Sequence, residues 1–92
     1  MYSIVVSKEC EKQLLDLDDK SKRILKDKLN IAKENPFHFK RLTGFNKPTF
    51  RIRFSDNLEK RLIYILEDNL IKLICILDRK KDYKDLDKYL SK

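Results

Sequence analysis

The run Thr49-Phe50-Arg51-Ile52-Arg53-Phe54, followed closely by Arg61-Leu62-Ile63-Tyr64-Ile65-Leu66, constrains this chain more than any other feature. Side chains alternate across a strand, so Phe50, Ile52 and Phe54 point one way while Thr49, Arg51 and Arg53 point the other. The apolar set can be buried under helices. That leaves a ridge of guanidinium groups on the opposite face of a sheet. A charged sheet face is ordinary, but one enriched in a single sign needs an anionic partner or a tolerance for self-repulsion. We read the ridge as an RNA-facing surface.

With 92 residues the chain forms one domain, residues 1–92, too short to divide into two cores. Twenty-two Lys and Arg against 15 Asp and Glu give a net charge of +7, which draws polyanions. Net charge alone is weak evidence, because many small basic domains bind no nucleic acid. Its segregation says more. Between Asn35 and Ser55 stand Lys40, Arg41, Lys47, Arg51 and Arg53, with no carboxylate among them. No stretch approaches the roughly 18 consecutive apolar residues of a membrane span. The opening Met1-Tyr2-Ser3-Ile4-Val5-Val6 lacks a basic leader, so the expected location is cytoplasmic, away from membranes. Cys10 and Cys75 lie far apart without metal-ligand spacing and read as small buried hydrophobes. Neither metal nor cofactor is expected.

Along the chain, Ser3 to Val6 reads as a first strand. Ser7 can cap a helix over Lys8 to Leu17, with Glu9 and Glu11 at the positive end of its dipole. Asp18 or Asp19 caps a second helix, whose apolar stripe is Ile24, Leu25, Leu29 and Ala32 and whose other face carries lysines. Asn35-Pro36 stops it. Phe37 to Pro48 reads as a loop, and Thr49 to Phe54 as the second strand. A turn over Ser55 to Glu59 leads to the third strand. Asp68-Asn69 turns the chain into a fourth, Ile71 to Leu77. The last two strands are apolar on both faces, which places them in the middle of the sheet. A charged exit, Asp78 to Asp82, precedes an amphipathic helix over Tyr83 to Leu90. The predicted order is β-α-α-β-β-β-α: an α+β domain with a mostly antiparallel four-stranded sheet and helices on one side.

These phrases resemble a known family, the RelE/ParE toxins of bacterial and archaeal toxin–antitoxin pairs. The likeness covers nearly the whole chain. It rests on the element order, Lys40-Arg41-Leu42-Thr43-Gly44, Phe50-Arg51-Ile52-Arg53-Phe54, Arg61-Leu62-Ile63-Tyr64, and the exit Asp78-Arg79-Lys80-Lys81-Asp82-Tyr83. RelE-type members cut messenger RNA in the ribosomal A site, whereas ParE-type members share the fold and poison DNA gyrase. The RelE branch carries basic residues on the second strand, an Arg opening the third, an Arg after the fourth, and a Tyr beyond. By position these correspond to Arg51 and Arg53, Arg61, Arg79 and Tyr83. The resemblance therefore implies a ribosome-dependent endoribonuclease that needs no metal, with mRNA and the small ribosomal subunit as partners. It also implies a RelB-like antitoxin that holds the toxin inactive.

RNA cleavage without a metal proceeds by attack of a 2′-hydroxyl on the adjacent phosphate, leaving a 2′,3′-cyclic phosphate and a free 5′-hydroxyl. A proton must leave the 2′-oxygen, another must reach the leaving oxygen, and the added charge on phosphorus must be stabilised. Guanidinium forks suit the last task. We expect Arg61 and Arg79 to hold the scissile phosphate and Arg53 to assist. Lys40, Arg41, Lys47, Arg51, Lys80 and Lys81 would guide the RNA. Proton transfer is harder to assign. Relatives commonly place lysines where this chain has Arg51 and Arg53, and an arginine stays protonated. Tyr83 and Lys81 remain as candidates, with Tyr83 preferred because nearby cations can lower its pKa; its alternative role is a phenol capping the core. His38 falls in the loop, where packing against Phe37 or Phe39 is the plainer role, and Tyr64 is read as packing. Two other classes compete: a ParE-like gyrase inhibitor that performs no chemistry, and a plain RNA-binding domain.

Overall fold

The structure, a computed structural model, describes residues 2–54 and 60–78. In chain order its elements are β1 (Ser3–Val6), α1 (Lys8–Leu15), α2 (Asp19–Glu34), β2 (Lys40–Leu42), β3 (Thr49–Phe54), β4 (Lys60–Glu67) and β5 (Leu70–Asp78). They build one sheet in the order β1-β5-β4-β3-β2. The α+β class stands, with one correction. Among the described residues the sheet has five strands and not four, because Lys40–Leu42, inside the segment read as a loop, pairs antiparallel with β3. The sheet is mostly antiparallel, as expected: β1 runs parallel to β5, while the other three pairings are antiparallel. The turn over Ser55 to Glu59 and the helix over Tyr83 to Leu90 lie outside the described residues.

Both helices begin where their side chains can satisfy orphan amides. The Ser7 hydroxyl accepts from Cys10 N–H at 3.0 Å and donates to the Ile74 carbonyl at 2.7 Å, which starts α1 and ties it to β5. Asp18 accepts from Ser21 N–H at 2.7 Å, and that bond holds its carboxyl below the usual range. Helix α1 ends at Leu15, two residues early, yet Leu17 is still buried.

One face of the sheet meets the helices. Phe50, Ile52, Phe54, Leu62, Tyr64, Leu66, Ile71, Leu73 and Ile76 pack there with Cys10, Leu17, Leu25 and Ala32. Tyr64 is fully buried, stacks on Phe50 with centroids 5.2 Å apart, and donates its hydroxyl to the Pro36 carbonyl at 2.6 Å. Its phenol is thereby spent on the core, and burial pushes its pKa well above the usual range. The opposite face carries a smaller buried cluster of Ile63, Cys75 and Leu77, flanked by Leu42, Phe45 and Ile74. A bulge explains how one strand serves both clusters. Ile63 pairs with Cys75 and Tyr64 with Leu73, leaving Ile74 as the extra residue. The insertion re-phases β5, so Ile76 joins the helix side and Leu77 the opposite, arginine-bearing side.

Beyond β1, the free edge of β5 is filled from inside the chain. Gln13 Nε2 donates to the Ile76 carbonyl at 3.0 Å, and Ile76 N–H donates to Gln13 Oε1 at 2.6 Å. A side-chain amide thus makes the paired bonds that a neighbouring strand would make.

Burial of the two thiols has a consequence for alkaline stability. Desolvation, reinforced by Glu9 at Cys10 and by Cys10 and Glu9 at Cys75, pushes both thiols up to about 12 from 9.0. The unfolded chain sheds these protons above pH 9 while the folded chain keeps them. Stability is therefore intact below pH 9 and falls as pH rises toward 12, by up to about 1.4 kcal/mol per pH unit for each thiol. Urea midpoints measured from pH 8 to pH 11 should decline from pH 9 upward, and Cys75→Ala should make the decline shallower. A flat profile to pH 10.5 would contradict the burial of both groups.

Candidate nucleic-acid interface

Strand register sets the geometry of the sheet face opposite the helices. Arg53 of β3 lies directly opposite Arg61 of β4, and Arg51 lies opposite Ile63. On the outer side, Lys40 of β2 lies opposite Arg51. Residues that face each other across a ladder share a face, with Cβ atoms about 4.5–5.5 Å apart. Lys40, Arg51, Arg53 and Arg61 therefore form one contiguous cationic patch drawn from three strands. Arg53 is exposed, and Arg51 and Arg61 are half-buried.

This arrangement is costly in the isolated protein. Like charges directly opposite each other destabilise a sheet. Among the described residues neither Arg53 nor Arg61 forms an ion pair. The Nε of Arg61 is buried and has no hydrogen-bond partner among the described residues. An oriented, partly desolvated guanidinium without a carboxylate is a ready acceptor site for an anion with several oxygens.

The other sequence candidates divide. Lys40 joins the patch. Arg41 does not: it lies opposite Phe50, so it shares the helix-side face and reaches solvent at the sheet edge. Lys47 is engaged by Glu67, which also takes Lys72 at 2.8 Å. Glu67 lies six residues along β4 from Arg61, about 20 Å at strand rise. This face is thus polarised, with an arginine end and an end where Glu67 offsets one of the two lysine charges. Arg79, Lys80, Lys81 and Tyr83 lie outside the described residues; β5 ends at Asp78, opposite Lys60, one rung from the Arg61–Leu77 pair. His38 sets its ring edge-on to Phe39 at 5.0 Å. Lys60 pairs with Asp78 at 3.0 Å on the helix side, beside Gln13, Asp16, Leu17 and Ile76.

Two contributors escaped the sequence reading. Lys28 of α2, among the lysines expected on the helix's other face, donates to the Arg53 carbonyl at 2.5 Å and anchors the end of β3. Phe45, in the segment read as a loop, packs against the cluster of Ile63, Cys75 and Leu77. A helical lysine carries no signal of such a contact. Phe45 carried one: an aromatic residue beside a basic run free of acids.

A mixed sheet in this strand order, with the two described helices on one face and arginines on the other, is an α+β arrangement shared with solved RelE structures: the chain has the RelE fold. The arginine-to-alanine double variant of Escherichia coli RelE in the free state superposes with a TM-score of 0.80 at 18% identity, covering 98% of this chain and 94% of that one. Isolated E. coli RelE gives 0.76 at 20% identity, over 96% and 97%. RelE in the archaeal RelE–RelB complex from Pyrococcus horikoshii gives 0.70 at 22% identity, over 88% and 98%. No protein-family model and no curated protein matches the sequence. No helix among the described residues is long and apolar enough to cross a membrane.

Proposed function

We infer that this chain is the toxin of a toxin–antitoxin pair and acts as a ribosome-dependent endoribonuclease. One observation carries the reading: Arg53 and Arg61 oppose each other across β3 and β4 without an ion pair between them and any described carboxylate. That arrangement costs stability unless an anion completes it.

In this reading Arg61 and Arg79 grip the scissile phosphate, and Arg53 neutralises charge that builds on the non-bridging oxygens. The 2′-oxygen attacks phosphorus, the bond from phosphorus to the 5′-oxygen breaks, and the departing oxygen takes up a proton. Tyr83 handles one of these protons. Lys40 and Arg51 extend the path for the RNA backbone along the patch. Arg41 and Lys47 contribute at most to its rim. The chemistry asks for positioned cations and proton carriers, and no metal or cofactor enters it.

The partner is a small antitoxin of the RelB kind. RelE structures of the same fold from E. coli and P. horikoshii are complexes with RelB. An acidic or amphipathic segment suits a chain of net charge +7.

Purified protein incubated with ribosomes carrying a message should produce fragments ending in 2′,3′-cyclic phosphate, with 5′-hydroxyl ends on the downstream pieces. A parallel incubation with gyrase and supercoiled DNA should leave supercoiling unchanged. Intact message together with blocked gyrase would replace this reading with a ParE-like inhibitor.

A further inference from the structure

We propose that Phe45 is a stacking platform for an unpaired RNA base, held beside the phosphate that the arginines grip; this rests on the RNA-cleaving reading above. Phe45 follows Gly44, whose φ of 93° lies in the left-handed region open mainly to glycine. That turn lies between β2 and β3, and Phe45 packs against the cluster of Ile63, Cys75 and Leu77. Two members of that cluster border the cations. Ile63 is the cross-strand neighbour of Arg51, and Leu77 is the cross-strand neighbour of Arg61.

The ring is only partly buried, and Leu42 and Ile74 flank the same cluster. An aromatic surface therefore borders a cationic one, on a face where the described carboxylate, Glu67, sits at the far end with Lys47 and Lys72. Guanidinium groups that follow a backbone, with an aromatic ring for the base, form the usual pair of devices for single-stranded nucleic acid. The occupant is an unpaired base and not an acidic peptide, because a peptide carboxylate would use the arginines and leave the ring without a planar partner. Stacking tolerates any base, so Phe45 contributes affinity and orientation more than sequence choice.

Two short oligomers test this, both made uncleavable by 2′-O-methyl sugars: one with bases and one abasic. Binding is read by fluorescence anisotropy at low salt. Phe45→Leu keeps an apolar cover over Ile63 and Leu77 while removing the ring, and circular dichroism checks its fold. It should weaken binding of the base-bearing oligomer by about tenfold or more, and leave the abasic one unchanged. Phe45→Trp should restore binding. Because the chain has no tryptophan of its own, that indole is a sole reporter. Its emission should be quenched by the base-bearing oligomer alone. Equal binding of both oligomers by wild type and Phe45→Leu, or unmoved indole emission at saturation, overturns the proposal and spares the arginine reading. Wild-type protein that binds neither oligomer overturns the proposal as well, and the ribosome cleavage assay above then decides the arginine reading by itself.

Discussion

Arg61→Ala is expected to slow message cleavage by about a hundredfold to a thousandfold, equivalent to roughly 2.7–4 kcal/mol of lost transition-state stabilisation. The same variant should be at least as stable as the wild type. It removes a buried Nε that lacks a partner and dissolves the opposition to Arg53. Loss of activity with a preserved or raised urea midpoint is therefore the signature of a residue placed for its ligand and not for its fold. Single-turnover cleavage on programmed ribosomes supplies the rate, and equilibrium unfolding supplies the stability. A variant that cuts at the wild-type rate removes Arg61 from the site. A variant that unfolds contradicts the view that its charge is a burden. Arg53→Ala should show the same pairing of effects on a smaller scale, and the double variant should lose less than the sum, because both side chains address one anion.

The second large effect concerns the core. Phe50 is almost wholly buried, stacked on Tyr64 at 5.2 Å and approached edge-on by Phe37 at 5.7 Å. Phe50→Ala should cost about 3–5 kcal/mol, a large part of the roughly 5–15 kcal/mol available to an ordinary domain. Much of the population should be unfolded at physiological temperature. Phe50→Leu keeps most of the volume and should lose far less. Urea unfolding at 25 °C measures both, and a loss below 1 kcal/mol for the alanine variant would place the centre of the core elsewhere. The comparison also separates the two faces of β3, since Phe50 and Arg53 lie three residues apart on one strand yet should fail in opposite ways. One loses the fold and the other loses the ligand.

The sequence made this division legible because strict alternation in Thr49–Phe54 leaves only one assignment of faces. The caps Ser7 and Asp18 and the turn at Asp68, whose φ is 58°, were legible for the same reason: each is local. What escaped was decided by pairing over distance. Lys40–Leu42 has no strand pattern of its own and is a strand because β3 offers it a partner. The parallel pairing of β1 with β5 joins segments some 67 residues apart, and nothing within Ser3–Val6 dictates it. The unbroken apolar run Leu73–Leu77 concealed the phase of β5, and only the extra residue at Ile74 reveals which side chains face the patch. Among the candidate site residues, the strand arginines could be placed from alternation alone. The separation of Lys40 from Arg41 needed the register of β2, and the capture of Lys47 by Glu67 needed the folded chain.

Gln13 has a bearing on how this protein behaves in a crowded solution. Were its amide absent, the Ile76 backbone would offer a donor and an acceptor aligned for an incoming extended chain, the condition under which sheets recruit one another. With that slot occupied internally by a side chain, Ile76 has no backbone donor or acceptor on this side to offer an incoming strand. The longest described strand is thereby closed at that rung to pairing with a second chain.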